Sequence, residues 1–349
     1  MVGRMIGWIV LPWLVAGCLT AASAPPAAGV PVERVAFGSG LDQDRSAPIL
    51  DAIFAFGPDT FVFLGDNVRA GGADMQRLAR AYEALGSSPG YQRLRERSRV
   101  FAVWDDQDLG EPGASAGYSH LEAARQLMLD FFGEPADSPR RQGEGNYGAL
   151  TLGPPGRRVQ FILLDTRWFR TPVKIDEEDR RIPAEGPEAA LLGEAQWGWL
   201  EEVLTEPAEI RVVCTSTQVL NTLHPDGKWA DWPEERRRLL ALIRRHAGDV
   251  LVLSGGRLHG EMSIDHFTSA GRENVLVETT VGGFNEARAR QGDRDEPSDF
   301  RAGDIHYEPN FGTLEIDWRQ RIVTVSIRNE RGGALKQVQL RMQEDPEAE

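Results

Sequence analysis

The chain has 349 residues, 41% of them hydrophobic and 26% charged, which is enough to bury a sizeable core in one large domain or two smaller ones. Its formal net charge of −14 argues against unaided binding to nucleic acid or to anionic lipid headgroups. With two cysteines in all, one of them near the N-terminus, a disulfide framework is excluded once that end is processed.

The first element is an address. Arg4 precedes an apolar run, Met5 to Leu14, that is too short to span a bilayer and reads as the core of an export signal. Val15-Ala16-Gly17-Cys18 puts small residues before a cysteine, the pattern of a bacterial lipobox. Residues 1–17 are therefore expected to be a lipoprotein signal peptide, with Cys18 lipid-modified. The other reading is an ordinary signal peptide cut near Ala21-Ala22-Ser23-Ala24. Leu19, rather than Asp, follows the cysteine, so the expected address is the cell envelope, with outer-membrane retention in a Gram-negative host. Residues 18–30 are an Ala/Pro-rich tether, and residues 31–345 are expected to form one domain.

Arg34 to Phe37 reads as the first strand, ending at Ser39-Gly40-Leu41-Asp42-Gln43-Asp44. A helix is expected from Pro48 to Phe56, because proline is tolerated in a first turn. Phe61 to Leu64 is an apolar run rich in aromatic and β-branched residues, a buried strand. Helices follow over Asp74–Leu85 and Tyr91–Arg97, separated by the breaker Gly86-Ser87-Ser88-Pro89-Gly90. Val100–Trp104 is the next strand, and His120–Phe132 an amphipathic helix. Tyr147–Leu152 and Arg158–Leu164 read as a hairpin around Gly153-Pro154-Pro155-Gly156. Thr171 to Pro187 is a charged surface excursion. Glu194–Leu204 and Pro233–His246 are helices; Ile210–Cys214 and Val250–Leu253 are strands, with Cys214 expected as a buried small hydrophobe. Strands dominate after Gly271: Val275–Thr279, Gly312–Asp317, Ile322–Ile327 and Lys336–Arg341. Helices mixed with many strands, and a β-rich tail, predict a layered α/β/β/α sandwich.

One pattern recurs along the chain. Phe61–Leu64 runs into Gly65-Asp66-Asn67, Val100–Trp104 into Asp105-Asp106-Gln107-Asp108, Phe161–Leu164 into Asp165-Thr166-Arg167, and Val250–Leu253 into Ser254-Gly255-Gly256-Arg257. Ligands of open α/β sheets bind beyond the carboxyl ends of strands. The repeated switch from apolar to polar therefore predicts one shared site at one sheet edge.

The motifs in this order resemble the alkaline phosphatase D-like branch of the metallophosphoesterases. The resemblance rests on Phe63-Leu64-Gly65-Asp66-Asn67, Trp104-Asp105-Asp106, Phe131-Phe132-Gly133-Glu134-Pro135 and Leu163-Leu164-Asp165-Thr166-Arg167. It rests equally on Leu192-Gly193-Glu194-Ala195-Gln196-Trp197, Trp229 with Glu235-Arg236-Arg237-Arg238-Leu239, Leu253-Ser254-Gly255 and the tail Asn310 to Ile316. It runs from about Val32 to about Arg341. It implies a metallophosphoesterase-like sandwich that hydrolyses phosphate esters with iron and calcium, using metal-bound hydroxide.

The sequence departs from the family pattern at the positions implied to hold metal. Gly40 stands where the pattern has Cys, Arg69 where it has Tyr, Gln107 where it has His, and Gly256 and Leu258 where it has Asp and His. Three of these offer no side-chain donor, and Gln107 is a poor exchange for imidazole toward a transition metal. Asp66, Asn67, Asp105 and Asp106 persist. They either hold a single hard divalent cation through oxygens or cap loops, and Asp42 and Asp44 face the same choice. His259 lies one place after the missing His. A register shift could return it to the site, but one step along an extended backbone reverses the side chain. Arg69, Arg167 and Arg257 are candidates to bind an anion directly.

The expectation is thus a pseudo-phosphatase with a degenerate metal site, an anion-binding or scaffolding lipoprotein. The alternative is an active phosphomonoesterase or phosphodiesterase using a reduced metal site. The expected partner is a phosphate ester or other anionic small molecule, with no nucleic acid, and a membrane only through Cys18.

Overall fold

The computed structural model describes residues 29–178, 180–246, 250–269, 271–287 and 296–343. The expected signal peptide, Cys18 and nearly all of the tether lie outside the described residues.

In chain order the elements are β1 (Arg34–Gly38), α1 (Ile49–Phe56), β2 (Thr60–Leu64), α2 (Met75–Ser87), α3 (Pro89–Arg97), β3 (Arg99–Val103), α4 (Asp106–Leu109) and α5 (Leu121–Phe131). There follow β4 (Gly148–Leu152), β5 (Val159–Leu163), β6 (Lys174–Ile175), β7 (Arg181–Ile182), α6 (Gly193–Val203), β8 (Ile210–Thr215), α7 (Pro233–Arg245) and β9 (Val250–Ser254). The tail is β10 (Glu261–Ser269), β11 (Arg272–Thr280), β12 (Asn310–Asp317), β13 (Ile322–Asn329) and β14 (Ala334–Arg341).

Two six-stranded sheets form the centre. One has the order β14-β13-β12-β1-β2-β3, the other β10-β11-β9-β8-β5-β4. Within each, the strands that carry the site are parallel: β1, β2 and β3 in the first, β5, β8, β9 and β11 in the second. Their carboxyl ends therefore share one edge per sheet.

Alternation along the strands builds the layers. Val62 and Leu64 of β2 point into the core between the sheets, with Phe161, Leu163, Val212, Cys214 and Leu253 from the opposing sheet. Phe61 and Phe63 point the other way, under α1 to α5. Ile162, Val213 and Val252 pack instead under α6 and α7. Strands buried on both faces read as continuous apolar runs, which is why they were legible. Each such side chain contributes about 1.5–3 kcal/mol by leaving water. The α/β/β/α sandwich predicted from sequence is the architecture found. Cys214 is a buried free thiol, and burial pushes its pKa up, so it is an inert core residue.

The local signals held at helix starts. The Asp74 carboxylate accepts from Gln76 N at 2.8 Å to cap α2, and Pro89 opens α3 behind the Ser88 cap. Elsewhere the structure corrects the expectation. β10 was not foreseen, because its Glu, Asp and His lower β propensity; it forms by full-length antiparallel pairing with β11. On that strand His266 is exposed, and Asp265, half-buried, pairs with Arg244 at 2.6 Å. The excursion after Thr171 holds the two-residue hairpin β6–β7. β3 stops at Val103, and Trp104 turns out of it toward Asp165.

Candidate functional site

The two sheet edges meet tightly. Leu41 N donates to Asp66 O at 3.0 Å, joining the loops after β1 and β2. Gly283 N, beyond β11, donates to Ser39 O at 3.0 Å, and Gly255 N, beyond β9, to Thr215 O at 3.1 Å. The Thr166 and Ser216 hydroxyls share a hydrogen bond of 2.9 Å across the loops after β5 and β8. One polar floor thus draws on six strand ends.

At its centre Asp66, Asp105 and Asp106 each place a carboxylate oxygen within 4.8 Å of the others. Asp66 sits in the left-handed region, at φ 52°, a conformation costing a non-glycine residue of order 1–3 kcal/mol. Its Oδ1 is buried with no hydrogen-bond partner among the described residues. Burial, then the charges of Asp105, Asp106 and Asp108, push its pKa well up, opposed by Arg167. Burial also raises Asp105, against the pull of Arg167. Asn67 ties its Nδ2 to Val103 O at 2.9 Å, bracing β2 on β3, and its Oδ1 is buried without a partner among the described residues.

Asp108 locks the two acidic loops together. Its carboxylate accepts from Asn67 N at 3.0 Å, Tyr82 Oη at 3.1 Å and Asp105 N at 2.9 Å. Burial raises its pKa to about 7 despite these donors. Asp165 acts likewise on the next loop, accepting from Trp104 Nε1 at 2.7 Å, Arg167 N at 2.8 Å and Asn146 N at 2.7 Å. Gln196 grips the Asp165 backbone at 2.9 Å in both directions.

That frame aims Arg167 into the acidic cluster. Its Nε bonds Asp105, its Nη2 lies 3.7 Å from Asp106, and its Nη1 donates to Ala114 O at 3.3 Å. Burial disfavours the guanidinium charge, but Asp105 and Asp106 outweigh burial and raise its pKa. A fixed monocation therefore stands where the acids converge.

The other arginines expected to take an anion are also engaged. Arg69 pairs with Glu286. Arg257 is buried, pairs with both Asp226 and Glu296, and lies 3.3 Å from His224 Nδ1. An anion at any of the three must displace a carboxylate. His259 is fully buried, 3.8 Å from Glu261 through Nε2 and edge-on to Tyr307. Burial would raise the Glu261 carboxyl, but His259 and Arg301 hold it well below the usual range. Among the described residues, no His joins the three-acid cluster, so the register shift does not bring His259 to those acids.

Two of the positions that depart from the family pattern, Gly40 and Gly256, are closed in by their neighbours. Gly40, at φ 72°, leaves only 2.7 Å from a Cβ to Gly283 N and 2.8 Å to Leu258 Cδ2. Gly256, at φ 67°, would drive a Cβ into the Ser216 carbonyl oxygen. The loops have closed on the space that side chains there would need. Gln107 follows on α4, half-buried.

The iron implied by the resemblance does not fit this donor set. The cluster is all carboxylate, with neither thiolate nor imidazole, and Gly40 and Leu258 pack on each other. A hard cation fits better, through the free oxygens of Asp66 and Asn67 beside Asp105 and Asp106.

Sequence reading missed Arg170. It is 8% exposed, stacks on Trp232 at 4.7 Å, and among the described residues has no carboxylate within 4.0 Å. Its place three residues after Arg167 was visible; its isolation was not.

A family model described as PhoD-like phosphatase matches residues 80–327. A solved structure described as "Structure of PhoD" is similar, with a TM-score of 0.70 and 18% identity, over 90% of this chain and 69% of that one. The structure of GAP50 from Plasmodium is similar with a TM-score of 0.59 and 15% identity, over 90% of each chain. No curated protein matches by sequence.

Proposed function

The chain belongs to the PhoD-like phosphatase family, and from that premise we propose that it is a pseudo-phosphatase, a member that binds or scaffolds with little hydrolysis. The observation that carries this reading is Arg167, bonded to Asp105 and 3.7 Å from Asp106. A divalent ion entering the cluster meets a guanidinium that cannot deprotonate. At about 4 Å and an effective dielectric near 20, that repulsion is about 4 kcal/mol per unit charge. The backbone at Gly40 and Gly256 leaves no room for the lost ligands. The same fold in GAP50, described as the anchor in the inner membrane complex of Plasmodium, supports a use of this scaffold other than hydrolysis.

The proposal includes export and attachment through lipid on Cys18, for which the support is the lipobox pattern alone. The ligand class is a small anion, in keeping with the family's phosphate esters, and the acidity of the chain disfavours nucleic acid.

A second reading has its own observation. The unpartnered Oδ1 of Asp66 and its raised pKa favour one hard divalent cation, and with it residual phosphoesterase activity. One experiment separates the two. The mature protein is purified without chelators, its metal content measured, and its turnover of p-nitrophenyl and bis-p-nitrophenyl phosphate followed with calcium, magnesium, manganese or iron added. The pseudo-phosphatase is expected to hold no stoichiometric metal and to turn over neither ester. Calcium or magnesium at one per chain with turnover establishes the second reading; stoichiometric iron with turnover overturns both.

A further inference from the structure

Among the described residues, Arg170 is a buried arginine beside the site with no carboxylate within 4.0 Å. Its guanidinium carbon lies over the Trp232 ring, 4.7 Å from the centroid, and Trp232 is fixed in turn by its Nε1 bond to Thr171 Oγ1 at 3.1 Å. A cation–π contact engages the guanidinium charge without using its N–H donors. Burial and the nearby charge of Arg167 lower its pKa to about 9, opposed by Asp105 and Asp106, so it remains charged at neutral pH. A buried charge without a partner is costly, and an anion would relieve it.

Arg181, on β7, faces the same gap. A methyl group on Gly227 would stand 3.6 Å from Arg170 Nη2 and 3.8 Å from Arg181 Nη2. Two nitrogens that close to one point can be bridged by a single oxyanion through charge-assisted bonds of about 2.7–2.9 Å. Arg181 and Lys228 share one carboxylate, Asp231, so this group also carries excess positive charge. Gly227 is half-buried.

We propose that Arg170 and Arg181, on either side of Gly227, bind the oxyanion group of a small acidic ligand, a phosphate or a carboxylate, beside the three-acid cluster. This deepens the reading of the protein as an anion binder. Its test reads binding without turnover, so it can fail while the absence of hydrolysis stands, and the reverse.

The mature chain is titrated calorimetrically in EDTA, at constant ionic strength, with inorganic phosphate, sulfate and succinate in separate runs. EDTA removes any contribution from a metal at the acids. Saturable binding at one site per chain is expected for at least one probe; phosphate and sulfate without succinate identify a tetrahedral group, succinate alone a carboxylate. Gly227→Ala makes only ordinary contacts at 3.6–3.9 Å and should fold as the parent does, yet its methyl occupies the gap and weakens binding by about tenfold or more. Arg170→Gln should abolish binding without lowering the melting temperature, because it removes an unpaired buried charge. No saturable binding of any probe, or dissociation constants within about twofold of the parent in both variants, overturns the proposal.

Discussion

Replacing Arg167 by Met tests whether a guanidinium has taken the role of a cation among the acids. The side chains of Arg167 and Asp105 are 6% and 4% exposed, so their pair is screened little by water or salt. At 3.7 Å and an effective dielectric near 20, the attraction to Asp106 alone is about 4–5 kcal/mol. Breaking a buried pair by removing one partner costs about 3–5 kcal/mol, and that range is the expected loss for Arg167→Met at pH 8 in EDTA. The loss must shrink in acid. Without Arg167 the carboxyls of Asp66 and Asp105, already raised in the folded protein, rise further. The folded variant then holds protons that its unfolded chain releases, so its stability falls as pH rises above the usual carboxylate range. Urea unfolding at pH 5 and pH 8, with the parent beside it, measures both numbers. Millimolar calcium should restore part of the loss in the variant and little in the parent. A loss under about 1 kcal/mol, equal at both pH values and indifferent to calcium, would refute the assignment of Arg167 as the internal cation.

Two further substitutions probe the closed loops and the acid limit of the fold. Gly256→Asp restores the family residue, yet it should destabilise by about 2–4 kcal/mol, from a left-handed Asp and a side chain forced against the Ser216 carbonyl. Thermal unfolding checks this, and a variant that is as stable as the parent and gains phosphoesterase activity would show the loop to be open. His224, buried beside Arg257, has its pKa lowered to about 3 by burial first and Arg257 next. The unfolded chain therefore takes up a proton below about pH 6.5 that the folded chain refuses, and stability drops as pH falls through that window. His224→Gln should remove up to about 3 kcal/mol of the drop between pH 6.5 and pH 4, read by urea unfolding across that range; an unchanged slope would exclude His224 as a contributor.

The sequence alone determined the layered fold and the edge at which the polar residues gather. Residues 61–64 and 161–164 are apolar at every position because both faces of their strands are covered, and such runs announce themselves without any partner being known. The polar residues that follow mark where the strands leave the core. The short hairpin β6–β7 and the strand β10 escaped, because two-residue pairings and charged strands carry little local signal and are decided by the neighbour they meet. The charge balance of the site belongs wholly to the tertiary structure. Asp105 and Arg167 are 62 residues apart, on loops of different sheets; Arg257 meets Glu296 39 residues on and Arg69 meets Glu286 217 residues on, while among the described residues Arg170 meets no carboxylate within 4.0 Å. Composition fixes how many charges a chain carries. Only the approach of two sheet edges decides which of them cancel, since that depends on distances of a few ångströms between residues the sequence does not order as neighbours.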